Sequence, residues 1–240
     1  MPFSRSGRSS NGGVRSMPGI SAESSVTAEF RRLTGSNRLD SRHKVSEYSH
    51  IMRNGAKTKA LIERTALRLF AKKGIKETTI KDIAKAAKIA EGTMYRHYKG
   101  KEQLAESLFM ENYMGFGQEL HEVQARESTT RTKLLAIIHH FCAAYDRDPT
   151  VMNYLFLTRH EYLHKMHPRG QNPYLVFRHV IREGMNKGDI PKQDADVATS
   201  MVLGIVLQIV DTRLLGSLIK QRISGLADQL AAACLRVLSA

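Results

Sequence analysis

The segment Thr79–Tyr98 constrains the fold more than any other part of this 240-residue chain. Apolar residues of its first half recur with the spacing of one helical face, at Ile80, Ile83, Ala84 and Ala87. Thr79 precedes that face as a helix N-cap, whose hydroxyl satisfies an unpaired backbone N–H. Ile89 interrupts the pattern, and a second helix then directs Met94 and Tyr98 inward. The segment therefore predicts two short helices joined by a tight turn.

The outward surface of the second helix is small, polar and aromatic. It consists of Gly92, Thr93, Tyr95, Arg96 and His97. Small residues allow a helix to approach a major groove closely, and polar tips reach phosphates or base edges. Solubility alone explains such a surface poorly, so the pattern favours a DNA-reading helix.

The flanking segments support this interpretation. Thr58–Lys73 has helical apolar spacing and is followed by Gly74 as a C-cap. Lys101 opens another helix, where a cation opposes the helix dipole and a docked phosphate would make it favourable. Alternatively, Lys101 is an exposed lysine that tolerates a small penalty.

Residues of about 57 to 105 resemble the DNA-binding domain of the TetR family of bacterial transcription regulators. The matching motifs are Ala66-x-x-Leu69-Phe70-Ala71-x-x-Gly74, Thr78-Thr79-Ile80-x-x-Ile83-Ala84, Gly92-Thr93-Met94-Tyr95-Arg96-His97-Tyr98 and Lys101-Glu102-x-Leu104. The resemblance implies an all-α fold, in which a three-helix helix-turn-helix domain precedes a helical domain for effector binding and dimerisation. It also implies a cytoplasmic homodimer that binds a palindromic operator and is released by a small effector, with no enzymatic activity and no cofactor.

The DNA-binding residues are expected on and beside the second helix of the motif. Thr93 and Arg96 are the expected base-edge contacts, and Thr79, Tyr95, His97 and Lys101 the expected phosphate contacts. The full set of expected DNA-binding residues is Thr79, Glu91, Gly92, Thr93, Tyr95, Arg96, His97 and Lys101.

Net charge and cysteine content agree with a DNA-binding protein of a reducing compartment. The net charge is +14, and residues 51–111 carry half of that excess, with 14 Lys and Arg against 7 Asp and Glu. Cys142 and Cys234 match no metal-ligand spacing and are expected to be buried packing residues. No stretch approaches eighteen uninterrupted apolar residues, so no transmembrane helix is expected.

The chain is expected to divide into three parts. Residues 1–51 are expected to be a disordered basic arm, because Ser, Gly and Arg dominate its beginning and no period persists. Alternatively, translation starts at Met17 or Met52 and the leader is not part of the natural protein. Residues 52–105 form the predicted DNA-binding domain, and residues 106–240 the predicted effector-binding and dimerisation domain.

Helix signals punctuate this last part. One helix is expected from Lys101 to about Arg126, and Thr130 is expected to cap the next. Two more helices are expected to begin at Pro149 and Pro173, the last of them closed by Gly188. The final pair, about 195–217 and 225–238, is expected to form the dimer interface, because the first of them is apolar on more than one face. Ile209 is an expected interface residue. The alternative is a purely monomeric core.

Aromatic and polarizable residues between these regions are the candidates for an effector pocket. They are Phe116, Phe141, Tyr145, Met152, Phe156, Arg159, His160 and Phe177. The competing interpretation is an ordinary core, since most aromatic residues at helical spacing serve one. An apolar or amphipathic ligand is expected here, and nothing in the sequence identifies it.

His160-Glu161-Tyr162-Leu163-His164 matches the HExxH pattern of zinc hydrolases, in which the two histidines bind the metal and the glutamate activates water. It supports the alternative of a zinc-dependent hydrolase, although no separate catalytic domain remains for one. With His167, the two histidines would also form a metal-sensing site. An ordinary polar helix surface or pocket lining is the third interpretation.

Overall fold

The computed structural model describes residues 41–165, 172–216 and 220–239, with side chains from residue 54 onward. Throughout this described part, the regular structure is helical, as the sequence predicts. The helices are α1 (Ser41–Lys73), α2 (Ile80–Ala87), α3 (Glu91–Tyr95), α4 (Lys101–Ala125), α5 (Thr130–Arg147), α6 (Pro149–Tyr162), α7 (Pro173–Lys187), α8 (Ala195–Leu214) and α9 (Ala227–Leu238), with 3-10 turns at Leu163–Lys165 and Ile223–Leu226.

Helix α1 begins at Ser41, which is earlier than the predicted start at Thr58. Residues 41–57 contain no proline, and an established helix extends at the cost of ordering only one further residue per hydrogen bond. The end of the expected disordered arm is therefore helical, and residues 1–40 lie outside the described residues. The described residues fall into two units that divide after Thr58, and those of the first unit all belong to α1.

One apolar core joins helices α1 to α4 with helix α6. Its buried residues are Ile62, Ala66, Phe70, Ile83, Ala84, Met94, Tyr98, Leu104, Ala105, Leu108, Phe109, Tyr154, Leu155 and Tyr162. Tyr154 of α6 lies 6.0 Å from the Phe70 ring, centroid to centroid, and its hydroxyl donates to the Ala105 carbonyl. The core therefore continues across the expected boundary at residue 105.

The second core lies among helices α4 to α9. Helix α5 packs against α4, α7 and α9, while α8 packs against α7 and α9. Pro149 and Pro173 open α6 and α7, and Gly188 closes α7 at φ 81°, as expected. Thr130 is not the cap of α5: Thr129 accepts the capping hydrogen bond from the Thr132 N–H. Both cysteines are buried free thiols.

Helix α8 leaves apolar residues exposed. Val197 and Met201 expose about half of their surface, at 50% and 49%, and Gly204 is exposed on the same side of the helix. Ile209 instead packs partly against the core of its own subunit. By length and composition, α8 is the one helix among the described residues that could cross a membrane, which is weak evidence for a membrane span.

Candidate DNA-binding surface and ligand cavity

The start of helix α2 is fixed by a reciprocal capping box. The Thr79 hydroxyl accepts from the Asp82 N–H at 3.1 Å, and the Asp82 carboxylate accepts from the Thr79 N–H at 3.0 Å. Lys73, at the end of α1, donates to the same carboxylate at 2.8 Å. The hydrogen bond from Lys73, aided by those from Thr79, holds the pKa of Asp82 well below its usual range. Asp82 was not among the residues predicted to be important. The S/T-x-x-D spacing of Thr79 and Asp82 was the sequence signal that could have identified its capping role.

The turn after α2 uses a left-handed residue without glycine. Lys88 has φ 56° and ψ 43°, and its N–H bonds to the carbonyls of Ala84 and Lys85. Helix α3 then places Met94 in the core. The helix ends at Tyr95, earlier than the sequence predicts, but Tyr98 is buried after it as the spacing predicts, and its hydroxyl donates to the Glu63 carboxylate at 2.5 Å. These buried contacts fix which side of α3 faces solvent.

The solvent-facing side of α3 carries the predicted DNA-reading residues. Tyr95 is 58% exposed, and Glu91, Gly92 and Arg96 are exposed as well. Arg96 donates to the Thr93 hydroxyl at 3.2 Å, so the two expected base-edge residues contact each other. The structure thus leaves these residues accessible to solvent, with Thr93 and His97 half-buried.

Lys101, in contrast, has an intramolecular partner. Its ammonium group donates to the Lys76 carbonyl at 3.1 Å and is mostly buried. The sequence predicted Lys101 either as a phosphate contact or as an exposed lysine. Neither prediction includes this intramolecular contact. Because an ammonium group has three N–H donors, Lys101 retains donors for a phosphate while fastening the loop before α2.

A cavity of about 430 Å³ lies in the second core, among α4 to α8. Six of the eight predicted effector residues line it, namely Phe116, Phe141, Met152, Phe156, Arg159 and Phe177. Tyr145 and His160 do not line it: the Tyr145 hydroxyl donates to Asn153 at 2.9 Å, and His160 is exposed. The cavity falls within the size range of small-molecule sites, roughly 300 to 1,000 Å³.

The remaining wall comes from residues that the sequence analysis missed. These are Tyr113, Leu155, Leu163, Asn172, Pro173, Tyr174, Leu175, Leu203 and Leu207. Their helical spacing signalled only burial, since a core residue and a cavity residue follow the same period. Tertiary packing alone distinguishes the two.

The HExxH string does not lie on one continuous helix. Helix α6 ends at Tyr162, and His164 follows in the 3-10 turn Leu163–Lys165. His167 lies outside the described residues, and within the described ones no cluster of three metal-binding side chains occurs. The adjacent pair His139 and His140 points apart, toward Asp228 and Glu119, each at 2.8 Å.

Comparison with known proteins assigns the family. Residues 62–108 match the family model described as "Bacterial regulatory proteins, tetR family". The fatty acid metabolism regulator protein of Bacillus subtilis is 27% identical over 152 residues, which cover 61% of this chain and 78% of that protein. The repressor KstR2 of Mycolicibacterium smegmatis is 46% identical over 43 residues, 18% of this chain and 21% of that protein. Residues 62–108 therefore form a domain of the TetR family.

Solved structures show the same TetR-family fold. A fatty acid degradation regulator from Bacillus halodurans superposes with a TM-score of 0.63 at 20% identity, over 74% of this chain and 94% of that one. A regulator from Bacillus subtilis, in complex with stearoyl-CoA, superposes with a TM-score of 0.61 at 21% identity, over 73% and 97% of the two chains. The matching family model and the matching relatives describe transcription regulators, so this chain is not an enzyme, and the zinc-hydrolase alternative is wrong.

Proposed function

We propose that this TetR-family protein is a homodimeric, ligand-responsive repressor that binds an inverted-repeat operator. The observation that carries the proposal is the solvent-facing surface from Gly92 to His97, on and directly after α3, which buried Met94 and Tyr98 direct outward. A two-fold symmetric dimer presents two such helices, so its half-sites are related by the same symmetry. Because its proposed operator DNA lies in the cytoplasm of a bacterial cell, the protein is assigned to that compartment.

The side chains divide into two roles. Arg96 and Thr93 stand together on the exposed surface and are assigned to base edges. Thr79, Tyr95, His97 and Lys101 are assigned to phosphates, with Gly92 allowing close approach and Glu91 preceding it in the chain. Phosphate contacts set position and salt dependence, while base contacts set sequence preference.

The dimer interface is assigned to the exposed side of α8, together with the neighbouring helix α9. Val197 and Met201 are large apolar residues whose exposure a partner helix would remove, and Gly204 permits close approach between backbones. Only 28% of the apolar 18-residue window in α8 is buried within the subunit. A second copy of α8 supplies an apolar surface of matching composition, as a two-fold interface requires.

The cavity is assigned to an acyl-type effector. Its wall is mainly aromatic and aliphatic, and the related regulator from Bacillus subtilis was solved with stearoyl-CoA. Helix α6 carries cavity residues Met152 and Phe156 and, between them, Tyr154, which contacts Phe70 and Ala105 of the other core. Together with α4, it therefore connects the ligand to the DNA-binding helices. The ligand releases DNA by binding better to the conformation that does not fit the operator.

A gel-shift experiment with the DNA flanking the protein's own gene tests the function. The wild-type protein should bind one inverted repeat there, and Arg96→Ala should relax sequence preference, costing about 1–3 kcal/mol if Arg96 reads a guanine. Lys81→Ala, an exposed lysine outside the assigned set, is the control. Equal binding of all DNA sequences by the wild-type protein would reject the proposal, and an Arg96→Ala variant with unchanged sequence preference would reject the role of Arg96.

A further inference from the structure

The residues that line the cavity differ in burial. Phe141, Met152 and Phe177 are almost completely buried. Leu163, in contrast, is 38% exposed, and Arg159, four residues before it, is only partly buried. A ligand that contacts all of these residues needs an apolar body against the aromatic rings and tolerates a polar group near Arg159.

Arg159 is the cationic residue of the cavity wall. One guanidinium nitrogen donates to the Phe156 carbonyl, and the other contacts Asp211 of α8, with an Nη2–Oδ2 distance of 3.3 Å. The guanidinium carbon also lies 5.8 Å from the centre of the Phe156 ring. Asp211 itself does not line the cavity. Since charge-assisted hydrogen bonds usually measure about 2.7–2.9 Å, the contact with Asp211 is a long one that a better-placed anion can replace.

Tyr113 adds a neutral hydrogen-bond donor to the same wall. Burial raises the pKa of its phenol to about 12, although the Tyr174 backbone and the positive charge of Arg159 oppose the rise. The phenol therefore keeps its hydrogen at neutral pH. A guanidinium and a neutral hydroxyl that line one cavity suit an oxyanion, which accepts from both.

We propose that the cavity selects amphiphiles that carry an anionic group, and that Arg159 and Tyr113 bind this group while Asp211 competes for Arg159. The chemistry fits the carboxylate of a free fatty acid or a phosphate of an acyl-CoA thioester. Because Asp211 belongs to α8, ligand binding withdraws a contact from the helix assigned to the dimer interface. The inference rests on the proposed ligand-binding function of the cavity, and it adds the ligand's charge and the two residues that read it.

Calorimetric titration of the full-length protein with three probes tests the inference. Dodecanoate and dodecanoyl-CoA carry the anionic group in two forms, and dodecan-1-ol lacks it. The variants are Arg159→Gln and Asp211→Asn. Arg178→Gln is the control, because Arg178 also forms an ion pair with a carboxylate of α8, Asp196, at 2.6 Å but does not line the cavity. Operator binding of each protein is measured in parallel by gel shift.

The wild-type protein should bind at least one anionic probe about tenfold or more tightly than dodecan-1-ol. Arg159→Gln should reduce that preference to near unity and leave dodecan-1-ol binding within about threefold of wild type. Asp211→Asn should increase the affinity for the anionic probe several-fold and leave the affinity for the alcohol unchanged. Arg178→Gln should bind all probes with wild-type affinity. Whichever anionic probe loses affinity in Arg159→Gln identifies the carboxylate or the phosphate as the recognised group.

Three outcomes overturn the inference in distinguishable ways. Equal wild-type affinity for acid, thioester and alcohol rejects the anionic selection and leaves the cavity as an apolar effector site. Unchanged or weaker binding of the anionic probe by Asp211→Asn rejects Asp211 as a competitor. If no probe binds while the operator is still bound, both the anionic selection and the acyl-type effector are wrong, and the DNA-binding function stands.

Discussion

Replacing Gly204 by leucine separates the stability of the subunit from the stability of the proposed dimer. Gly204 lies inside α8, and a Cβ built there meets nothing within 4 Å of the same subunit. Leucine is a better helix former than glycine by about 0.8 kcal/mol, so the isolated subunit should be slightly more stable. If a partner helix packs closely on this face, the larger side chain instead costs about 1–3 kcal/mol.

The symmetry of the interface doubles that cost, since each subunit contributes one leucine. The dimer should lose about 2–6 kcal/mol, which raises its dissociation constant on the order of 30-fold or more. Sedimentation velocity over a range of protein concentrations measures the dissociation constant, and thermal unfolding of the monomer by circular dichroism measures subunit stability. Gly115→Leu on α4 is the control, because a Cβ there also meets nothing within 4 Å. A Gly204→Leu protein that dimerises like wild type would show that the interface lies elsewhere.

Three further substitutions test the turn, the ion pairs and the cavity. Lys88→Gly should stabilise the protein by about 0.5–1 kcal/mol, because glycine adopts the left-handed conformation of φ 56° without strain; a lower melting temperature would contradict this. Hydrogen bonds from Lys133 and then Lys187 lower the pKa of Glu183 from 4.5 to about 2, so their stabilisation is present above pH 4.5 and is lost as the pH falls toward 2. Glu183→Gln should therefore cost about 1 kcal/mol at pH 7 in urea unfolding and nothing near pH 2; a difference that is independent of pH would exclude the linkage. Phe141→Trp should weaken the response of operator binding to ligand and leave ligand-free operator affinity nearly unchanged, because Phe141 lies between Phe116 and Phe156 in the cavity wall; loss of operator affinity with intact ligand response would place Phe141 in the structural core instead.

The helix α6 illustrates why the cavity and the DNA-binding helices are less separate than the sequence suggests. The composition of the chain changes little at residue 105, and motif matching placed a boundary there because the family pattern ends there. In the structure, Tyr154 reaches from α6 into the core of α1 to α4 and donates to the Ala105 carbonyl. Such a long-range contact leaves no periodic signal near either residue.

Local chemistry determined the helix starts, the turn and the inward residues, because those features depend on neighbours a few positions away. Thr79 caps α2, Pro149 and Pro173 open α6 and α7, and Met94 is completely buried, all as the spacing predicted. A capping hydroxyl, a proline ring or an apolar period acts within one or two helical turns. Sequence alone was therefore sufficient to place the two short helices and their inward residues, although not the start of α1 or the end of α3.

Tertiary structure decided everything that depends on which residues meet across helices. It placed six predicted aromatic, aliphatic and basic residues around one cavity, directed Tyr145 and His160 elsewhere, and turned Ile209 partly toward its own core. It also paired Arg159 with Asp211 and gave Lys101 the Lys76 carbonyl as a partner. Burial and ion pairing depend on the positions of helices that are distant in the chain, and the helical period of a single segment is the same whether its apolar side faces a core, a cavity or a second subunit.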